Sequence, residues 1–295
     1  MTPWTLPSPA GRSVCVLGAG VLGRRIAACW ASVGYKVHIR DPDRQQIDGA
    51  FQFLKDHLWR YNPGVDQDDV SMLGFQDLRP AVEDSWLVIE CVPEKLDLKI
   101  NVFAELEELV KPDAILATNS SSYKSREITA KVKPETARRM LNTHYFLPPD
   151  IRIVELMTSG TTHEAIFPFL QRHLRVSGAL PVLVRRESTG FILNRVWAAI
   201  KRECLMVLSD GVALPEELDA AWAEMFIRSG TPPCHMMDFI GLDTVSLVEQ
   251  HYIAERGLPD TGVISFLQKY IDEGKLGTKS NRGGLYPPKD TSSDG

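Results

Sequence analysis

Val14-Cys15-Val16-Leu17-Gly18-Ala19-Gly20-Val21-Leu22-Gly23 is the stretch whose reading decides the fold. The apolar run Val14–Leu17 predicts a buried strand, and the Ala- and Ile-rich stretch from Arg24 to Val33 predicts a helix. A second apolar run, Lys36 to Arg40, ends on Asp41. Strand, glycine turn, helix, strand and acid, in that order, make a dinucleotide-binding unit. Gly18 permits the tight turn, Gly20 lets the backbone approach a pyrophosphate, and Gly23 lets helix and strand pack closely. The phosphates would meet the helix N-terminus, where unpaired N–H groups and the dipole favour negative charge. Val21 and Leu22 complete that turn. Asp41, 18 residues past Gly23, is placed to accept hydrogen bonds from an adenine-ribose diol. A carboxylate there repels a 2′-phosphate, which favours NAD over NADP, and Arg44 reads as a solvated helix residue.

Around this unit the first half of the chain alternates strands and helices. Gln45 to Trp59 is an amphipathic helix, and Phe75 to Leu78 looks like a short strand. Trp86 to Val92 reads as a fully buried strand, Leu98 to Val110 as a helix and Ala114 to Ala117 as another strand. Arg138 to His144, Arg152 to Thr158 and Leu180 to Val184 add strands, with a helix over Glu164–Val176. From Thr189 onward the strand pattern stops. Phe191–Ser209, Pro215–Phe226, Thr244–Tyr252 and Val263–Asp272 read as helices, punctuated by Asp210-Gly211 and Gly230 to Pro233. The expected architecture is an α/β Rossmann-type nucleotide-binding domain over 1–187 and an all-helical substrate and dimerisation domain over 188–295. The tail after Gly283 is Pro/Ser-rich and is expected to be poorly ordered beyond Pro287.

Composition narrows the class. The 295 residues suffice for two cores, and 44% hydrophobic with 24% charged residues is ordinary for a globular protein. A net charge of −5 argues against a nucleic-acid surface. No apolar run nears the ~20 residues of a membrane span, and Met1 to Pro9 lacks a basic-then-apolar leader pattern. Cys15, Cys29, Cys91, Cys204 and Cys234 have no metal-ligand spacing, so no metal is expected, and reduced thiols fit a cytoplasmic protein. Ser292 to Gly295 carries no peroxisomal tripeptide.

A second constellation is His144 to Glu155 (HYFLPPDIRIVE), an imidazole at a strand end and a carboxylate eleven residues later. Pro148-Pro149-Asp150 between them is a turn signal that can fold the chain back. A carboxylate on a His fixes the ring tautomer and stabilises the imidazolium, which makes a general base near neutral pH. Read alone, such a pair is more often two unrelated residues. Arg152, between them, is a candidate for meeting a substrate carboxylate but reads better as a solvent-facing strand residue.

The ordered pieces VLGAGVLGRRIA, RDPD, ECVPEKLDLK, TNSSSY, THYFLPP, IVEL, STGFILNRV, IGLDT and GTKSNRGGLY run almost end to end. Together they resemble the 3-hydroxyacyl-CoA dehydrogenases, a family that includes the L-gulonate 3-dehydrogenase/lambda-crystallin group. The resemblance implies NAD-dependent oxidation of a secondary alcohol β to a carboxyl or thioester, in fatty acid metabolism. It implies His144 as base, Glu155 as its orienting partner, and Ser121 and Asn194 as polar groups holding the substrate oxygen and the His. Glu94 and Lys99 match positions near the nicotinamide half of the cofactor, and Lys279 matches a further cofactor contact. Two departures concern the substrate. The region from Asp43 to Gln76 is short and contains Asp66-Gln67-Asp68-Asp69, a poor surface for CoA phosphates. The HxFNP-like element reads His144-Tyr145-Phe146-Leu147-Pro148, with Leu147 in place of Asn. A CoA ester and a free acid are therefore both open as substrates. Reduction of a specialised ketone or imine, and a non-catalytic NAD-binding role of the lambda-crystallin kind, are the alternatives. The apolar Phe191–Leu208 stretch suggests a homodimer.

Overall fold

A computed structural model of the chain describes residues 4–288. Met1–Pro3 and the tail from Lys289, with Ser292 to Gly295 and most of the expected disorder, lie outside the described residues.

The chain divides into two compact units, Met1–Ile200 and Lys201–Gly295. The first contains strands β1 (Ser13–Leu17), β2 (Val37–Arg40), β3 (Met72–Phe75), β4 (Ser85–Glu90), β5 (Ile115–Thr118), β6 (Met140–Leu147), β7 (Ile151–Thr158) and β8 (Leu180–Val184). Helices α1 (Val21–Ala31), α2 (Arg44–Tyr61), α3 (Leu78–Val82), α4 (Leu96–Leu109), α5 (Ser125–Ile128), α6 (Pro134–Ala137) and α7 (Ile166–Val176) connect them. The sheet order is β3-β2-β1-β4-β5-β6-β7-β8, and every pairing is parallel except β6–β7. This is a Rossmann-type α/β sheet. Its strand order reverses between β1 and β4, which opens a crevice at the carboxyl ends.

The sheet is built from strands hidden on both faces. All five residues of β1 and all six of β4 are buried, as a parallel sheet between helical layers requires. Trp30 of α1 meets Trp86 of β4 edge-on at 5.9 Å, and both are fully buried. Burying one large apolar side chain contributes on the order of 2 kcal/mol, so this layer carries much of the unit's stability.

One expected element is displaced. Residues 75–78 read as a strand, but β3 runs Met72–Phe75 and Leu78 opens α3. The pairing Val37↔Met72 to Arg40↔Phe75 sets the register, and buried Leu78 faces the core as part of a helix.

Helix α8 (Leu193–Ser209) leads into the second unit, which contains α9 (Pro215–Trp222), α10 (Pro233–Ile240), α11 (Leu242–Arg256) and α12 (Val263–Asp272). The expected punctuation at Gly230 to Pro233 leads directly into a helix over 233–240 that periodicity did not predict, with Pro233 in its first turn, where the missing N–H costs nothing. Asp238 of this helix is 5% exposed and accepts hydrogen bonds from the Leu285 and Tyr286 N–H groups at 2.8 and 3.1 Å. That contact ties down the GTKSNRGGLY segment. Among the described residues no helix is long and apolar enough to cross a membrane.

Candidate active site

The glycine turn lies at the carboxyl end of β1, and its three glycines are needed for different reasons. Gly18 has φ +100°, and a Cβ there would stand 2.6 Å from the Cys91 carbonyl oxygen. A Cβ on Gly23 would fall 1.8 Å from the Gly18 carbonyl oxygen, so helix and turn could not pack. Gly20, the N-cap of α1, faces open space instead, which is the room a pyrophosphate needs. Exposed Val21, half-buried Leu22 and Gly23 form the first turn of α1, whose N–H groups have no intrahelical acceptor. Asp41, at the end of β2, accepts from the Ala19 N–H at 2.9 Å and the Asp43 N–H at 3.0 Å. Its carboxylate is thus fastened beside the glycine turn, where a ribose diol would reach it. These residues fit a dinucleotide.

The sheet register aligns a row of residues at the strand ends: Leu17 beside Glu90, Glu90 beside Thr118 and Thr118 beside Asn142. His144 lies two residues beyond that row on β6, past the end of β5 and therefore at the crevice. Antiparallel β7 returns so that Glu155 stands directly opposite His144. The eleven-residue spacing is the register of a hairpin whose tip is Pro148-Pro149, and cross-strand partners are close enough for their side chains to meet. His144 Nδ1 and Glu155 Oε2 are 3.0 Å apart. The ring lies between Phe146 and Phe191, with centroids at 4.6 and 4.9 Å. Tyr145 points to the opposite face, where its hydroxyl accepts from Trp30 Nε1 at 3.0 Å.

Glu155 is fully buried. Its other oxygen, Oε1, accepts from the Ile192 and Leu193 N–H groups at 2.9 and 3.0 Å, at the start of α8. Burial raises its pKa, but the bonds from His144, Leu193 and Ile192 outweigh that, and the carboxyl stays below its ordinary range. The turn that delivers those N–H groups is unusual. Gly190 has φ +77°, and Phe191, which is not a glycine, has φ +55°. For a bulky residue that backbone conformation is strained, and buried packing of Phe191 against His144 holds it. Asn194, half-buried, lies in the first turn of α8 beside these donors.

A second buried cluster occupies the ends of β4 and β5. Glu90 is fully buried, and its Oε1 accepts from Lys99 Nζ and the Val92 N–H, both at 2.7 Å. Its Oε2 accepts from the Thr118 hydroxyl at 2.6 Å. Lys99, 1% exposed, also reaches Glu94 Oε2 at 3.0 Å. Burial disfavours the ammonium, yet Glu90 and Glu94 outweigh it and hold its pKa above the ordinary lysine value. For Glu94, burial is likewise outweighed by the Ser120 hydroxyl and Lys99, and its pKa is lowered.

Of the expected site residues, His144 and Glu155 meet, as do Glu94 and Lys99. Ser121 is exposed, whereas its neighbour Ser120 is buried, donates its hydroxyl to Glu94 and accepts from the Tyr123 N–H at 2.8 Å. Lys279 belongs to the helical unit and pairs there with Asp243. Sequence reasoning passed over Glu90 and Phe191. A single acid closing the apolar run WLVIE, nine residues before a lysine, was the available signal for Glu90.

Comparison with known proteins identifies the family. The family model for the 3-hydroxyacyl-CoA dehydrogenase NAD binding domain matches residues 13–188, and that for the C-terminal domain matches 190–286. A 3-hydroxyacyl-CoA dehydrogenase-like protein of Cochliobolus heterostrophus is 50% identical over 52% of this chain, and the match spans only 33% of that protein. The rat lambda-crystallin homolog is 30% identical, over 74% of this chain and 71% of its own. The solved 3-hydroxyacyl-CoA dehydrogenase of Archaeoglobus fulgidus superposes with a TM-score of 0.77 at 25% identity, covering 95% of this chain and 93% of its own. The chain belongs to the 3-hydroxyacyl-CoA dehydrogenase family, whose members are NAD-dependent enzymes acting on CH–OH groups, and NAD is its cofactor.

Proposed function

We propose that the chain interconverts a 3-hydroxyacyl compound and its 3-keto form, with His144 as general base and acid. The observation that carries this is the 3.0 Å bond between His144 Nδ1 and a Glu155 carboxylate that is itself fixed by two backbone N–H groups. Glu155 holds the proton on Nδ1 and leaves Nε2 as the atom that takes the hydroxyl proton. The imidazolium that results is stabilised by the same carboxylate, and the proton returns to the carbonyl oxygen in the reverse direction. Ser121 and Asn194 would hold the substrate oxygen and the ring. Gly18, Gly20, Val21, Leu22 and Gly23 would hold the pyrophosphate of NAD, Asp41 its adenine ribose, and Glu94, Lys99 and Lys279 further parts. NAD, when bound, supplies the hydride acceptor.

His144→Gln should lower kcat/KM by about 10²–10⁴ with NADH binding unchanged. An unchanged rate would end the reading of His144 as base, and a wild type inert towards hydroxy acids and CoA esters alike would favour the non-catalytic role. The exposed Asp66-Gln67-Asp68-Asp69 turn and Leu147 favour a free acid or a specialised ketone or imine over a CoA ester in fatty acid metabolism. Comparing acetoacetyl-CoA with small 3-keto acids separates them. The 1–187 and 188–295 division assigns cofactor binding to the first domain and substrate binding and dimerisation to the second. A homodimer is supported by Leu205, Ile227, Phe239 and Leu247, each more than half exposed, and light scattering at twice 33.0 kDa is the expected result. Five free cysteines fit a cytoplasmic location.

A further inference from the structure

The Glu90–Lys99–Glu94 cluster contains two carboxylates and one ammonium. Around Glu90 every contact is a donor: an ammonium, a backbone N–H and a hydroxyl. Nothing there requires a proton on the acid, and three donors favour the carboxylate. The cluster therefore carries one uncompensated negative charge. Its position follows from the strand order. β4 and β5 stand between β1, which carries the glycine turn, and β6, which carries His144. Three strand spacings of about 4.8 Å separate those ends. A dinucleotide anchored at Gly20 whose reactive ring reaches His144 must cross the ends of β4 and β5, where Glu90, Glu94 and Lys99 lie. The oxidised nicotinamide ring carries a positive charge that the reduced ring lacks.

We infer that Glu90, through the net negative Glu90–Lys99–Glu94 cluster, shifts cofactor affinity toward oxidised NAD relative to NADH and so favours alcohol oxidation in the bound state. Glu90 acts as a positioning residue. It fixes Lys99, the Val92 N–H and Thr118 while its own charge contributes to the field at the ring. Thr118 donates to Glu90 without adding charge, which separates geometry from electrostatics. The inference rests on the proposed placement of the reacting ring at His144.

The test is cofactor binding without turnover. Calorimetry gives the Kd for NAD, and the fluorescence of bound NADH gives the other. Glu90→Gln, which keeps the shape, should raise the ratio Kd(NAD)/Kd(NADH) on the order of tenfold, and Thr118→Val should leave it unchanged. A tenfold change corresponds to about 30 mV for the bound two-electron couple. Glu94→Gln, at a side chain 39% exposed, removes the same unit of charge and should move the ratio the same way even where Glu90→Gln fails to fold. A ratio unmoved in either charge variant, with both cofactors still bound, overturns the inference and leaves the role of His144 standing. An equal shift in Thr118→Val also overturns it, because geometry would then be the cause. A His144→Gln variant of full activity removes the placement on which the inference depends.

Discussion

Two carboxylates of this protein, Glu155 and Glu90, are equally buried and face different partners. Each is fully hidden and accepts three hydrogen bonds, so neither is left unsatisfied. Glu155 faces a histidine, a group whose ring nitrogens can both accept and donate a proton. Glu90 faces a lysine, whose charge persists near neutral pH. The surroundings differ to match. The His144 ring makes tilted contacts with Phe146 and Phe191 beside a strained turn, whereas Lys99 of α4 pairs with Glu90 at the end of β4 and with Glu94 in the connection between them. In the proposed function, the partner each buried acid receives makes one part of a proton relay and the other part of a fixed field.

The comparison breaks most readily at Glu155. Glu155→Gln keeps the shape but lets the side-chain amide favour the wrong histidine tautomer. The proposed role predicts a fall in kcat of about 10²–10⁴, read by steady-state kinetics. Glu90→Leu should act the other way. It leaves the buried Lys99 with Glu94 alone, so denaturant unfolding should report a loss of about 3–5 kcal/mol.

A smaller change sharpens the contrast from the backbone. Gly190→Ala forces a Cβ onto a φ of +77° and to 3.1 Å from the Arg195 nitrogen. About 1–3 kcal/mol of strain is expected, with activity reduced because the N–H groups that orient Glu155 shift while the Glu90 cluster is untouched.

The pH dependence of stability should show the smallest effects, at opposite ends of the scale. The Glu155 pKa is lowered by folding, so its contribution is complete above the unfolded value of about 4.3 and is lost as pH falls through the folded one. The Lys99 pKa is raised, so its contribution is complete below about 10.4 and is lost as pH rises through the folded value. Glu155→Gln should flatten the acid limb of a pH–stability curve, and Lys99→Met the alkaline limb.

Local pattern made much of this legible. Glycine spacing, buried runs and the acid at 41 describe contacts within some thirty residues of chain, and a hairpin register relates His144 to Glu155 through one Pro-Pro turn. Periodicity placed α12 without error at Val263–Asp272. It misplaced β3, because residues 72–78 form a strand end followed at once by a helix, and a short apolar run does not say where one stops. The serine run at 120–122 was ambiguous for a related reason. Three identical residues carry no local signal of which one faces inward, and contact with Glu94, 26 residues earlier, selected Ser120.

By itself the sequence determined the α/β order and the dinucleotide turn, because each depends on short-range spacing, whereas the pairing of His144 with Glu155 was implied only by the family resemblance. Only the tertiary structure decided that Glu90, Lys99 and Thr118 share a charge cluster, and that the start of α8 clamps Glu155 through a strained Phe191. The Glu90–Lys99 contact spans nine residues, but those of Thr118 with Glu90 and of Leu193 with Glu155 span 28 and 38, and these long-range partners are chosen by sheet register and burial, which no local pattern encodes.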